Sequence, residues 1–166
     1  PHELENSLKK IFDNNNTYIG IAPGAGEKNK IWPIENYIKI ANFFEKKSYN
    51  LVFFLGPQEK FIKEKLRNIF PKAIFPEEKI HKFSGPEIVM ASTKFLSCAL
   101  TNDSGVSHML STNFCPIIKL FGPKDPDKFT RQSNIIHTIS SKEFGSKNIQ
   151  DIPTDIVINK MNNLLS

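Results

Sequence analysis

The sequence predicts an α/β domain in which a mostly parallel sheet of about six strands is covered on both faces by helices, a three-layer α/β/α sandwich. Three observations carry this expectation. Short apolar, β-prone runs alternate with stretches whose apolar residues recur at helical spacing, the pattern of βαβ units. The apolar runs are nearly continuous, as in strands buried on both faces. The turns that follow them are rich in Gly, Pro, Ser or Asp, residues that end strands and open helices.

Each element follows in chain order. Leu4, Leu8, Ile11 and Phe12 share one helical face, and Asn14-Asn15-Asn16 ends that helix. Tyr18-Ile19-Gly20-Ile21-Ala22 is the first strand and runs into Pro23-Gly24-Ala25-Gly26. Pro33 suits the first turn of a helix, and residues 34–47 then bring Tyr37, Ile40, Ala41 and Phe44 onto one face. Leu51-Val52-Phe53-Phe54-Leu55 is the second strand, closed by Gly56-Pro57 and followed by a helix over about residues 59–69 with Phe61, Ile62, Leu66 and Ile69 on its apolar face. Ala73-Ile74-Phe75 is expected as the third strand, and Ser84-Gly85-Pro86-Glu87 opens a helix reaching about residue 95. Residues 96–102 form the fourth strand and residues 107–111 a short helix. Pro116-Ile117-Ile118-Lys119-Leu120-Phe121 is the fifth strand, closed by Gly122-Pro123-Lys124-Asp125-Pro126. Residues 135–139 supply a sixth, and Asp151-Ile152-Pro153 opens a last helix over residues 154–165.

A chain of 166 residues supports one domain with one core, and no linker or fixed-period repeat divides it. No run of about 18 apolar residues exists, so no transmembrane helix is expected. Pro1-His2-Glu3-Leu4-Glu5-Asn6 has neither the basic nor the apolar region of a signal peptide. The absence of an initiating methionine points to a chain cut from something longer. The formal charge is +5, but Lys alternates with Glu and arginine occurs only at Arg67 and Arg131. A solvated surface with one local anion site is expected, and no nucleic-acid partner. Cys98 and Cys115 match neither a metal spacing nor a disulfide framework. Buried free thiols, in a reducing cytoplasm, are expected.

In such sheets ligands bind beyond the carboxyl ends of the strands. The loops at residues 23–30, 56–59, 83–85, 103–105 and 122–126 therefore share one rim. The richest is Asn102-Asp103-Ser104-Gly105-Val106-Ser107-His108, a strand end, a tight turn and a helix start. Unpaired N–H groups and the helix dipole there suit an anion such as phosphate, with Asp103 and His108 flanking it. Asp103 and Ser104 fit helix capping equally well, and His108 fits a core histidine. Lys30, just before Trp32-Pro33, reads either as a phosphate-binding cation or as a solvated loop lysine; Lys28 is the weaker candidate. Trp32 reads first as packing its helix onto the sheet, with stacking against a base as the alternative. Glu59 either accepts hydrogen bonds from sugar hydroxyls or faces its helix dipole. Gly24-Ala25-Gly26 completes neither a Walker loop nor a dinucleotide fingerprint, and there is no Gly-x-Ser-x-Gly elbow, zinc pattern or self-contained acid/base pair.

Several motifs occur in a telling order: Pro23-Gly24-Ala25, Lys30-Ile31-Trp32-Pro33, Leu55-Gly56-Pro57, Asn102-Asp103-Ser104-Gly105-x-x-His108 and Leu120-Phe121-Gly122-Pro123-Lys124-Asp125-Pro126. Over residues 18–126 this series resembles the C-terminal half of the family 9 glycosyltransferases, the ADP-heptose:lipopolysaccharide heptosyltransferases. The resemblance implies one Rossmann-like, donor-binding domain over residues 1–166 of a two-domain GT-B enzyme. It implies that Lys30 binds the donor phosphates, and that Ser104 and Gly105 offer hydroxyl and N–H groups to the pyrophosphate. Asp103 would bind sugar hydroxyls, with His108 in support. The Phe83-Ser84-Gly85 loop, and Ser84 within it, would line the adenine pocket. Glu59 would face the ribose or sugar, with Gln58 as its alternative by a one-residue shift. Catalytic residues are expected outside this chain, because the family's general base lies in the N-terminal domain that also holds the lipopolysaccharide or related glycan acceptor. The expected reaction is an inverting displacement without cofactor or metal, in the cytoplasm or at the inner face of the bacterial inner membrane. Peripheral membrane association would belong to the intact enzyme, and the domain alone should be inactive. The chain departs from the family in lacking the longer polar, cysteine-containing loop after the last motif. Two alternatives stay open: a GT-B transferase or epimerase using a UDP-sugar, and a non-catalytic module that keeps the fold.

Overall fold

The strands Tyr18–Ala22 (β1), Asn50–Phe53 (β2), Leu96–Asn102 (β3), Ile117–Phe121 (β4) and Ile136–Ser140 (β5) form one parallel sheet in the order β2-β1-β3-β4-β5. The α-helices among the described residues are His2–Ile11 (α1), Ile34–Lys46 (α2), Lys60–Ile69 (α3), Pro76–Lys79 (α4), Gly85–Ser92 (α5), Gly105–Leu110 (α6) and Thr154–Leu165 (α7). This computed structural model describes residues 2–24, 30–112, 114–124 and 134–166. Lys28, Arg131, and Asp125 and Pro126 of the last motif lie outside the described residues.

Two apolar layers sandwich the sheet. Ile19, Ile21, Leu51, Phe53, Cys98, Leu100, Ile118 and Leu120 meet Tyr37, Ile40 and Phe44 of α2, Leu66 of α3, and Val157 and Met161 of α7. On the other face Tyr18, Ala22, Val52, Ala99 and Ile117 meet Leu4 and Leu8 of α1, Ile88 and Val89 of α5, and Leu110 of α6. The strand residues divide by the two-residue period and the helix residues by the 3.6-residue period. Each large aliphatic or aromatic side chain so buried contributes about 1.5–3 kcal/mol. The register slips by one between the Tyr18–Leu96 and Ile19–Cys98 pairs. The extra residue, Ser97, turns Leu96 toward α1 and α5 and leaves Cys98 and Leu100 facing α2. Both cysteines are buried and free, and burial pushes both thiols up to about 12, which leaves them unreactive.

The expected third strand is reduced to a single bridge. Ile74 pairs with Val52 at the β2 edge, donating to Leu51 O and accepting from Phe53 N–H, both at 2.9 Å. Ala73 is already held in a turn by Phe70 O, and Pro76 has no N–H and opens α4, so there is no length for a strand. Among the described residues the sheet therefore has five strands. Among the described residues no helix is long and apolar enough to cross a membrane.

Chain order and sheet order part at one place. From β1 the chain moves outward to β2, then returns past β1 to β3. The carboxyl ends of β1 and β3 thus flank the topological switch point, where open α/β sheets bind ligands.

Candidate functional site

Asn102, the last residue of β3, is fully buried at this switch point. Its Oδ1 accepts from the Trp32 backbone N–H at 2.9 Å and from the Tyr37 hydroxyl at 2.6 Å. Its Nδ2 donates to Pro23 O at 3.0 Å and to Gly24 O at 3.4 Å. One side chain thereby joins the end of β1, the approach to α2 and α2 itself. Thr101 adds a bond from its hydroxyl to Ala22 O at 3.1 Å. Trp32 is also fully buried; its indole N–H donates to Ile152 O at 3.2 Å and its ring stands edge-on to Tyr37. Burial drives the Tyr37 phenol well above its ordinary value, so it stays a donor.

With Trp32 anchored, Lys30 emerges two residues earlier on the rim. Lys30, Asp103, Leu120, Gly122 and Lys124 line a cavity of 170 Å³. The Asp103 N–H donates to Leu120 O at 3.0 Å, which fixes the strand end, and Lys124 Nζ stands 3.8 Å from Asp103 Oδ2. Lys124 is well exposed, so that pair is weak and open to exchange for a ligand. Two ammonium groups and one carboxylate suit a ligand that carries both phosphate and hydroxyl groups.

Ser104 is extended (φ −153°, ψ 176°) and stands directly before α6. Ser107 takes over the capping: its hydroxyl donates to Ser104 O at 2.5 Å and faces the Ser104 N–H at 3.4 Å. The buried Ser104 Oγ itself has no hydrogen-bond partner among the described residues. Nothing lies within 4 Å of where a Gly105 side chain would stand, so the backbone there is open to approach. His108 is exposed one turn further on.

A second pocket, of 280 Å³, opens beyond β2. Glu59, Glu77, Phe54, Gly85, Val106 and Met109 are among its walls. Glu59 ends a short 3₁₀ turn begun by Pro57; its Oε1 accepts from Gly56 N–H at 3.4 Å. Its carboxylate covers Gly24 so closely that a Cβ there would stand 1.7 Å from Oε2, and that oxygen is buried without a partner among the described residues. Gln58 is exposed, so of these two neighbours it is Glu59 that turns inward. Burial raises the Glu59 pKa, opposed by the Gly56 N–H and by Lys63. Burial raises Glu77 further, to about 7, opposed by Lys63 and the Leu55 N–H and assisted by the charge of Glu59. Ser84 caps α5: its hydroxyl donates to Glu87 Oε1 at 2.8 Å and accepts from Glu87 N–H at 3.3 Å. Its side chain is thus committed to the cap.

Gly24→Ala is expected to fold with a stability change below about 1 kcal/mol, because the flexible end of Glu59 swings aside. It should nevertheless perturb any ligand that uses Glu59. Comparing urea unfolding with nucleotide titration separates the two effects.

Residues 2–154 match the model of glycosyltransferase family 9 (heptosyltransferase). The chain belongs to glycosyltransferase family 9. This family 9 chain is 26% identical over 164 residues to lipooligosaccharide heptosyltransferase 2 of Haemophilus influenzae, covering 89% of the chain and 47% of that protein. It therefore spans less than half the length of the curated relatives it matches, 47% of one and 38% of another. Its fold is similar to a family 9 glycosyl transferase from Veillonella parvula, with a TM-score of 0.78 and 22% identity over 98% of this chain and 51% of that one. It is also similar to the ADP-heptose lps heptosyltransferase II of E. coli, with a TM-score of 0.75 and 21% identity over 99% of this chain and 51% of that one.

Within this family 9 domain, Lys30 and Asp103 share one cavity and Glu59 lines the other pocket. The start of α6 lies between them, since Asp103 faces the first and Val106 the second. Ser84 and His108 line neither. Asn102 and Lys124 stand in the quoted motifs without an individual role there, and Glu77 stands in none. For Asn102 a signal existed, a polar side chain ending an apolar strand. Glu77 had none, because α4 was not anticipated.

Proposed function

We propose that this chain is the donor-binding half of a heptosyltransferase that takes ADP-heptose, or a similar ADP-sugar, and transfers the sugar to a lipopolysaccharide core. The observation that carries this is the rim held by Asn102, which sets Lys30, Asp103 and Lys124 around one cavity beside the Glu59 pocket. The names of the curated relatives and of the E. coli structure point the same way.

In this arrangement Lys30, Lys124 and the N–H groups opening α6 hold the pyrophosphate, together with the Ser104 hydroxyl. Asp103 accepts from sugar hydroxyls, with His108 of α6 in support, and Glu59 accepts from the ribose diol. As the bond from the anomeric carbon to the phosphate oxygen breaks, negative charge grows on the leaving ADP. Cations and N–H groups already in place stabilise it with little rearrangement. In the inverting displacement proposed here the attacking hydroxyl approaches from the opposite side of the anomeric carbon, and acceptor and general base come from a second, N-terminal domain, as the family resemblance implies. The chain by itself is then a binding domain without transfer activity, and any association with the inner face of the membrane belongs to the intact enzyme.

Calorimetric titration with ADP and with UDP tests this. Binding of ADP in preference to UDP is the expected outcome. A folded domain that takes up no ADP at millimolar concentration would overturn it, and a preference for UDP would favour the epimerase or UDP-transferase alternative.

A further inference from the structure

Glu77 stands in the wall of the Glu59 pocket with no task in the donor site as described above. It belongs to the first turn of α4, and Gly85 lies so close that a Cβ there would come within 3.1 Å of Glu77 Oε2. The carboxyl borders two spaces: the 280 Å³ pocket shared with Glu59, and an adjoining groove of 310 Å³ lined by Lys63, His81 and Phe83. The first pocket is otherwise walled by apolar side chains, among them Phe54, Pro86, Val106 and Met109. Apolar walls suit the faces of an aromatic base, and two carboxyls suit two polar edges. Glu59 lies over Gly24, beside the phosphate rim. Glu77 lies against the start of α5. A nucleotide with its phosphates at α6 therefore brings its ribose to Glu59 and its base to Glu77.

We propose that Glu77 reads the hydrogen-bonding edge of the nucleotide base, accepting from the 6-amino group of adenine and donating to ring nitrogen N1. The proposal rests on the donor-site assignment under Proposed function. A neutral carboxyl offers one donor and one acceptor side by side, which matches the adjacent acceptor and amine of adenine. An ionised carboxylate would instead face the N1 lone pair. Burial and the nearby Glu59 charge favour the neutral form up to about pH 7, and Lys63 and the Leu55 N–H oppose it. The other charged or titratable groups nearby are His81, which lines the same groove, and Glu78, which pairs with Lys63 at 3.6 Å and with Arg67. Because the ligand-bound form is the protonated one, affinity should hold below about pH 7 and fall as pH rises through it.

The test titrates the chain and two variants with ADP and with purine riboside 5′-diphosphate, which lacks the 6-amino group, at pH 6 and pH 8. Glu77→Ala is expected to weaken ADP roughly 10–100-fold at pH 6, the worth of two hydrogen bonds, while the analogue, which keeps N1 but lacks the amine, weakens about tenfold or less. Glu77→Gln, whose amide also carries donor and acceptor, should match the native chain at pH 6 and bind ADP more tightly than it at pH 8. Comparing these two proteins with the same ligand cancels the titration of the ADP phosphates. Equal loss of both ligands in Glu77→Ala, or an unchanged ratio of Glu77→Gln to native affinity across the two pH values, would overturn the proposal and leave Glu77 as a brace for Leu55. If ADP still binds and is lost in Lys30→Ala, that failure concerns Glu77 alone. If the native chain binds neither ligand, the donor site and this proposal fall together.

Discussion

Asn102→Leu is expected to cost about 3–4 kcal/mol of folding stability, in the range of a lost buried network. The side chain is fully buried and makes four hydrogen bonds to three separate stretches of chain. Leucine fills a similar volume but leaves the Trp32 N–H, the Tyr37 hydroxyl and two carbonyls facing an apolar group. Each unsatisfied buried group costs about 1–3 kcal/mol, partly relieved where water can enter. Urea unfolding measures the loss, and the fluorescence of Trp32, the only tryptophan, reports it locally because its backbone N–H is one of the orphaned groups. A cost below about 1 kcal/mol, with Trp32 emission unchanged, would show that the rim is held by other contacts. Asn102→Asp keeps both acceptor bonds but sets a carboxylate against Pro23 O and Gly24 O, so it should be nearly as damaging and should recover partly at low pH, where the acid regains a donor.

Lys30→Ala is expected to reduce ADP affinity by about 10–100-fold, the worth of a charge-assisted hydrogen bond to phosphate, while leaving stability within about 0.5 kcal/mol because the residue is exposed. The effect should be confined to the phosphates: adenosine should bind the variant and the native chain alike. Added salt should shrink the difference, since the cavity opens to solvent and its charges are screened. Asp103→Ala should weaken an ADP-sugar more than ADP, because its carboxylate serves sugar hydroxyls in the proposed arrangement. If Lys30→Ala lowered adenosine and ADP affinity equally, its role would be in shaping the loop before Trp32 rather than in holding phosphate.

Much of the fold was legible because its signals are local. Apolar runs such as Leu51-Val52-Phe53-Phe54-Leu55, helical faces such as Tyr37, Ile40 and Phe44, and openers such as Pro153 act within a few residues of themselves, and β1, β3 and α7 lie where those signals place them. The third strand failed because its neighbours compete locally: a turn claims Ala73 and Pro76 opens a helix, which leaves one bridging residue. The rim loops were legible as well, since strand ends in such a sheet must lie together. Their internal division of labour was not. Ser84 and Ser104 look alike in sequence, each a serine before a glycine at a helix start. Yet Ser84 is consumed by Glu87, while Ser107 takes over the capping next to Ser104.

By itself, then, the sequence determined the α/β class, the strand-end rim to look to for a ligand site and, through its ordered motifs, the family. Only the tertiary structure decided which side chains hold the rim and which remain open to a ligand. Asn102 reaches Pro23, Gly24, Trp32 and Tyr37 across 65 to 79 residues of chain, and Glu59 meets Gly24 from a different strand end. Hydrogen-bond satisfaction and burial at such distances depend on how strands are ordered in the sheet, and no local pattern of residue types encodes that order.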